Sequence, residues 1–211
     1  MKDSPKCLEW VYRRTETKMP FTTRQSVLLR IREGDEIGWE EFYELYSPLV
    51  RLRGSDRGLA SAELDDLSQE VMVSIFQGEK QFRYDRARGR FRDYLRTIID
   101  RRAIDLLRKR RENEQLDELK SYGREPESND HHEMERRWEL AWQEQMLRQG
   151  LFELEEESSV PSFQAFHRVV MCGQKPADVA RELEMNVDNI YLIKHRLLKR
   201  LRDLIQDQEL E

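Results

Sequence analysis

"FRDYLRTIIDRRAIDLLRKRR" occupies residues 91–111. Phe91, Leu95, Ile98, Ile99 and Leu106 recur at spacings that keep side chains on one stripe of an α-helix, so the stretch reads as an amphipathic helix whose stripe is buried. Arg92, Arg96, Arg101, Arg108 and Lys109 fall off that stripe and are expected to remain free for phosphates. Arg102 and Asp105 fall within it, three residues apart, and are expected to form a structural ion pair.

So much positive charge is unexpected in a chain of formal net charge −5. Residues 83–111 hold 12 Lys and Arg against 4 Asp and Glu, whereas residues 112–159 hold 5 against 15. That inversion marks a boundary. The polar stretch "SYGREPESNDHH" at 121–132, with its Gly and Pro, reads as a linker between two domains.

Composition agrees with two small helical units. The chain has 211 residues, 38% hydrophobic and 37% charged, with only 9 Gly and 6 Pro, a balance that favours exposed helices over strands and turns. The expected fold class is all-α, two small helical domains joined by a linker. The expected divisions are an unstructured arm at 1–21, a first domain at 22–111, a linker at 112–132, a second domain at 133–206 and a tail at 207–211. Cys7 and Cys172 lie far apart without paired spacing, which indicates neither a disulfide framework nor a zinc site. No run approaches the roughly 18 apolar residues of a membrane helix, and no signal peptide is seen, so a cytoplasmic protein without membrane contact is expected.

Within the first domain, Val27, Leu28 and Ile31 recur at turn spacing, as do Trp39, Phe42, Tyr43, Leu45 and Tyr46 before Pro48. These predict two helices broken at "EGDEIG". "RGSDRG" at 53–58 reads as a Gly-bounded loop. "SAELDDLSQEVMVSIFQG" then predicts a helix capped by Ser61, ended by Gly78, with Leu64, Leu67, Val71 and Ile75 facing the core.

In the second domain, Trp138, Trp142 and Met146 share one side of a helix, and "FQAFHRVVMCG" predicts another that ends at Gly173. Pro176 opens a short helix with Val179, Ala180 and Leu183 on one face, and Asn186 caps a following helix lined by Ile190, Ile193, Leu197, Leu201 and Leu204. The pair reads as a helix-turn-helix, with small Ala180 at the crossing and Glu184 at the turn position where Gly is usual. Asn186, Asp188, Asn189, Tyr191, Lys194, His195, Arg196, Lys199 and Arg200 are its candidate DNA-binding residues. Residues 190–202 carry 5 basic and no acidic side chains, which suits phosphate contacts.

Four segments, in order, resemble the sigma-70 family of RNA polymerase sigma factors, in its short extracytoplasmic-function (ECF) group: "WEEFYELYSPLV", "ELDDLSQEVMVSIF", "GRFRDYLRTIIDRRAIDLLRKRR" and the helix-turn-helix. The resemblance implies a region 2-like first domain that binds core polymerase and melts the −10 element, and a region 4-like second domain that reads the −35 element. It implies docking of "DLSQEVM" on the clamp helices of the largest polymerase subunit, with the flap as a further contact, and Asp65, Asp66, Leu67, Gln69, Glu70 and Met72 as docking residues. It assigns the −10 element to the opening helix and its preceding loop: Phe82, Arg83, Tyr84, Arg86, Arg88 and Arg90, then Arg92, Arg96, Arg101, Arg108 and Lys109. Arg101 stands where the family usually has Asn. An anti-sigma partner is common in the family and leaves no readable mark in this sequence.

Holding a parted strand needs backbone charge, aromatic stacking and a pocket for an extruded base, and "FRYDRARGRF" supplies cations, Phe82 or Tyr84 as stacking rings, and Gly89 for close approach. Core packing is the favoured expectation for Phe82 and Phe91. The acidic 112–159 segment is expected near the basic surface, where it discourages DNA binding before polymerase is engaged. Adjacent His131 and His132 cannot share a helical face as metal ligands do, and no phosphate-cradling Gly loop exists, so neither a cofactor nor catalysis is expected. A dimeric helix-turn-helix regulator and a protein-binding helical adaptor are the alternatives; neither needs a docking helix beside a strand-melting helix.

Overall fold

The structure, a computed structural model, describes residues 36–78, 90–116 and 128–210. Among these residues every regular element is helical: α1 (Glu36–Asp56), α2 (Ser61–Gly78), α3 (Phe91–Leu116), α4 (Ser128–Glu157), α5 (Val160–Phe166), a π-helical turn (His167–Met171), α6 (Pro176–Glu182) and α7 (Val187–Leu210). The chain is all-α and forms two compact units, which divide the described residues between 145 and 146. The boundary anticipated at 132/133 thus falls inside α4, whose first part packs in one unit and whose remainder packs in the other. The expected arm, the helix around Val27, Leu28 and Ile31, and Cys7, with any statement on cysteine pairing, lie outside the described residues.

The first unit is a bundle of α1, α2, α3 and the first part of α4. Phe42, Leu45, Tyr46, Leu49 and Val50 of α1 meet Leu64, Leu67, Val71 and Ile75 of α2 and Phe91, Leu95, Ile99 and Ala103 of α3 in the buried core. Met134, Trp138 and Trp142 of α4 are buried too, and the Trp142 ring stacks on Tyr46 with centroids 6.2 Å apart. Burial of a large aromatic removes about 150–250 Å² of surface from water, so α4 is part of this core and no mere connection.

Two local expectations are corrected. α1 continues through Pro48 to Asp56, so "RGSDRG" is mostly helix; Pro48 is exposed, where water can satisfy the carbonyl that loses its partner. Gly54 belongs to that helix because a Cβ there would lie 2.4 Å from Leu67 Cδ2 and 2.8 Å from Leu64 Cδ2; the missing side chain lets α1 and α2 approach. The cap of α2 is Ala60, whose carbonyl accepts from the Glu63 and Leu64 amides, and whose own N–H donates to Glu63 Oε2 at 2.6 Å. Ser61 is the first helical residue.

In the second unit, Leu151, Leu154, Phe163, Phe166, Val169, Val179, Ala180, Ile190, Ile193, Leu197, Leu201 and Leu204 form one core. The helix after Ser159 widens into the π turn, closed by the Cys172 N–H donating to the His167 carbonyl at 3.1 Å, and Gly173 turns the chain with φ +65°. α6 and α7 are joined by a short turn in which Glu184 adopts φ 54° and the Met185 N–H donates to the Ala180 carbonyl at 2.8 Å. Asn186 caps α7, its Oδ1 accepting from the Asp188 N–H at 2.9 Å.

Candidate nucleic-acid interface

α3 distributes its cations over three directions. Facing α4, Arg92 Nη1 donates to Glu139 Oε2 at 2.5 Å and Arg96 Nη1 to Glu135 Oε2. Facing α2, Lys109 Nζ donates to Glu70 Oε1 and Arg110 Nη1 to Glu63 Oε2, both at 3.0 Å. Arg102 Nε donates to Ser74 Oγ at 2.7 Å, and its Nη1 lies 3.8 Å from Asp105 Oδ2, the anticipated ion pair. The expectation that Arg92, Arg96 and Lys109 stand free is therefore corrected: acidic residues on neighbouring helices occupy them.

The third direction faces solvent. A helix places residues at i, i+4, i+8, i+11 and i+15 on one side, and from Asp93 that row is Thr97, Arg101, Ile104 and Arg108. Thr97, Arg101 and Arg108 are exposed, and Ile104 is 52% exposed. Among the described residues Arg108 pairs within its own helix, to Asp105 at 3.5 Å and Glu112 at 3.8 Å, while exposed Arg90 immediately precedes Phe91. Thr97 and Ile104 escape a search for charged or aromatic side chains; their angular position opposite Leu95, Ile99 and Ala103 is the sequence signal that finds them. Phe91 is 2% exposed and packs edge-on against Phe42, as a core residue. Phe82, Arg83, Tyr84, Arg86 and Arg88 lie outside the described residues.

The underside of this surface is fixed by a buried arginine. Arg53, 1% exposed, makes a fork to Asp100 (Nε to Oδ1 2.8 Å, Nη2 to Oδ2 2.9 Å) and reaches Glu135 Oε1 at 2.7 Å, tying α1 to both α3 and α4. Arg57 Nε also donates to Asp100 Oδ1, at 3.0 Å. Burial alone would raise the Asp100 carboxyl, but hydrogen bonds and charge from Arg53 and Arg57 outweigh it and hold the group below its usual range. Glu135 is likewise lowered, burial being outweighed by Arg53 and Arg96. Asp56 goes the other way: its burial outweighs the charges of Arg137 and Arg53.

On α2, the proposed docking residues divide by burial. Asp65, Asp66 and Gln69 are exposed, Asp65 being paired with Arg51. Glu70 and Met72 are half-buried, and Leu67 is fully buried against α1, which leaves it a core role.

On α7, Asp188, Asn189, Tyr191, His195, Arg196 and Lys199 are exposed, whereas Lys194 is half-buried and Asn186 is engaged as the cap. Arg200 forms a bidentate pair with Glu157 (Nε to Oε2 2.7 Å, Nη2 to Oε1 2.6 Å), whose carboxyl is lowered first of all by that hydrogen bonding. Arg200 is thus held by α4 in this structure. Among the described residues no group of His, Cys, Asp and Glu is placed to hold a metal, and no helix is long and apolar enough to cross a membrane.

Comparison with known families adds an independent finding: residues 42–113, from within α1 to near the end of α3, match the family model for sigma-70 region 2. No curated protein matches the chain. The matched segment contains the cationic row of α3, the acidic side of α2 and the buried Arg53 of α1, and over these residues the chain is similar to region 2 of the sigma-70 family.

Proposed function

We propose that the chain is a sigma factor of the ECF type, acting in the cytoplasm, that brings core RNA polymerase to promoters, melts the −10 element with its first unit and reads the −35 element with its second. The family match over α1–α3 carries this assignment. The outward row Thr97, Arg101, Ile104 and Arg108, with Arg90 beside it, supplies phosphate-neutralising charge beside an apolar contact, and the exposed Asp65, Asp66 and Gln69 suit a basic polymerase helix. Two helices joined by a tight turn, with polar and cationic side chains opposite a buried apolar face, support a helix-turn-helix role for α6 and α7. RNA synthesis belongs to the polymerase; the chain contributes promoter choice.

Run-off transcription with purified core polymerase tests the assignment. Promoter-dependent transcripts that appear only when the chain is added are the expected result. Duplex binding without any transcript would favour the dimeric regulator, and neither activity would favour the adaptor.

The pairing of Glu135 and Glu139 with Arg96 and Arg92 supports a restraint within the first unit. Two carboxylates sit where phosphates would otherwise bind, so DNA must displace them to use these arginines.

A further inference from the structure

The side of α7 opposite its core is not uniformly polar. Starting from Asp188, the row at i+4, i+7 and i+11 is Leu192, His195 and Lys199, facing away from Ile190, Ile193, Leu197 and Leu201. Leu192 is 69% exposed, the most exposed of the large hydrophobic side chains in either unit among the described residues, with Tyr191 at 54% beside it. A single exposed leucine is ordinary on a protein surface. This one occupies the middle of the outward row, in the first turns of a helix flanked by exposed Arg196, Lys199 and Arg202.

That combination narrows the partner. The exposed cations Arg196, Lys199 and Arg202, with no acid between residues 190 and 202, select a polyanion, while an apolar side chain at the centre of the contact selects a polyanion with an apolar point. The major groove of DNA has one such group on its base edges, the thymine 5-methyl. An adjacent cytosine or purine offers hydrogen-bonding atoms that leucine cannot satisfy and would desolvate at a cost.

We propose that Leu192 is a specificity-determining residue that reads a thymine methyl in the duplex bound by α7. This rests on the assignment of α6 and α7 as a duplex-reading pair. Tyr191 borders the same contact, and Arg196 and Lys199 hold the flanking phosphates, so the leucine adds sequence choice to an attraction that is otherwise indifferent to sequence.

The experiment uses the full chain bound to core polymerase. Upstream promoter duplexes are selected from a randomised library, and each thymine of the selected element is then replaced by deoxyuridine, which removes the methyl and keeps every hydrogen-bonding atom. The wild-type holoenzyme is expected to lose about fourfold in affinity at one thymine, the worth of one methyl-sized group. Leu192→Ala should bind the thymine duplex more weakly and show no further loss with deoxyuridine at that position. Equal sensitivity of wild type and variant to every replacement overturns the role of Leu192 while leaving α7 as a DNA reader. Failure to select any upstream element overturns both. Unchanged DNA binding by Leu192→Ala, with loss of self-association in sedimentation, overturns it in favour of a contact between copies.

Discussion

The Arg92 guanidinium donates to the Glu139 carboxylate at 2.5 Å, across from α3 to α4. Together with the Arg96–Glu135 pair, this contact gives part of the cationic helix an acidic partner from its own chain. Both carboxylates remain partly exposed, at 29% for Glu135 and 42% for Glu139, so an external anion can compete with them for Arg96 and Arg92 while Glu135 keeps its second contact, to buried Arg53.

The double variant Glu135→Gln, Glu139→Gln should therefore bind duplex DNA more tightly than the wild-type free protein. Two released arginines that neutralise two phosphates would steepen the slope of log K against log salt by about two. Fluorescence anisotropy titrations at several salt concentrations measure it, and an unchanged slope excludes the restraint.

Arg101 makes the complementary case, because it is exposed in the outward row of α3. Arg101→Gln should lower promoter affinity and the salt slope of the holoenzyme by about one contact. Its thermal stability should stay within about 0.5 kcal/mol of wild type, as expected for a surface substitution. A normal yield of open complexes by permanganate footprinting would remove Arg101 from the melting surface.

The aromatic pair of α4 gives a stability test. Trp138 is 1% exposed and its ring centroid lies 5.9 Å from that of Trp142. Trp138→Ala should cost about 3–5 kcal/mol in urea denaturation. Leu140→Ala on the same helix, at a site 52% exposed, should change stability by no more than about 0.5 kcal/mol.

Acid should loosen the first unit through Asp100 and Glu135. Both carboxyls are held below their ordinary values, so their contribution is complete above the unfolded values of about 4 and is lost as pH falls through the lower folded values. Asp56, raised by burial, acts in the opposite sense and reduces the net slope. Thermal midpoints measured downward from pH 5 should fall, and Asp100→Asn should be less stable at pH 5 with a flatter acid dependence.

Glu184 pays a conformational penalty at φ 54°, a region L side chains disfavour. Glu184→Gly should stabilise the second unit by roughly 0.5 to 1 kcal/mol, the relief being offset in part by the greater freedom of glycine in the unfolded chain. Equilibrium urea unfolding reads the change.

How much of this was visible in the residues alone depended on distance along the chain. The spacing of Leu64, Leu67, Val71 and Ile75 anticipated a buried face, as did that of Ile190, Ile193, Leu197, Leu201 and Leu204, because one helix's periodicity suffices to define its inner side. The partners of Arg92 and Arg96 were not legible, since Glu139 and Glu135 stand 47 and 39 residues away and no local rule couples them. Leu67 carries two readings, a core position from its spacing and a docking role from the family resemblance, and its full burial on α2 agrees with the first. Arg101 was found by charge, but Ile104 required the geometry of the whole row.

The continuous run of α4 across residue 132 bears on how the chain can be cut. A fragment ending there would discard Met134, Trp138 and Trp142, leave the Tyr46 ring without its stacking cover, and strip Arg53 of its Glu135 contact. Such a fragment would expose sticky aromatic surface and invite aggregation during expression. One ending at residue 145 retains all of these partners, so proteolytic trimming of the intact protein should spare the peptide bonds from 134 to 142 long after more accessible sites are cleaved.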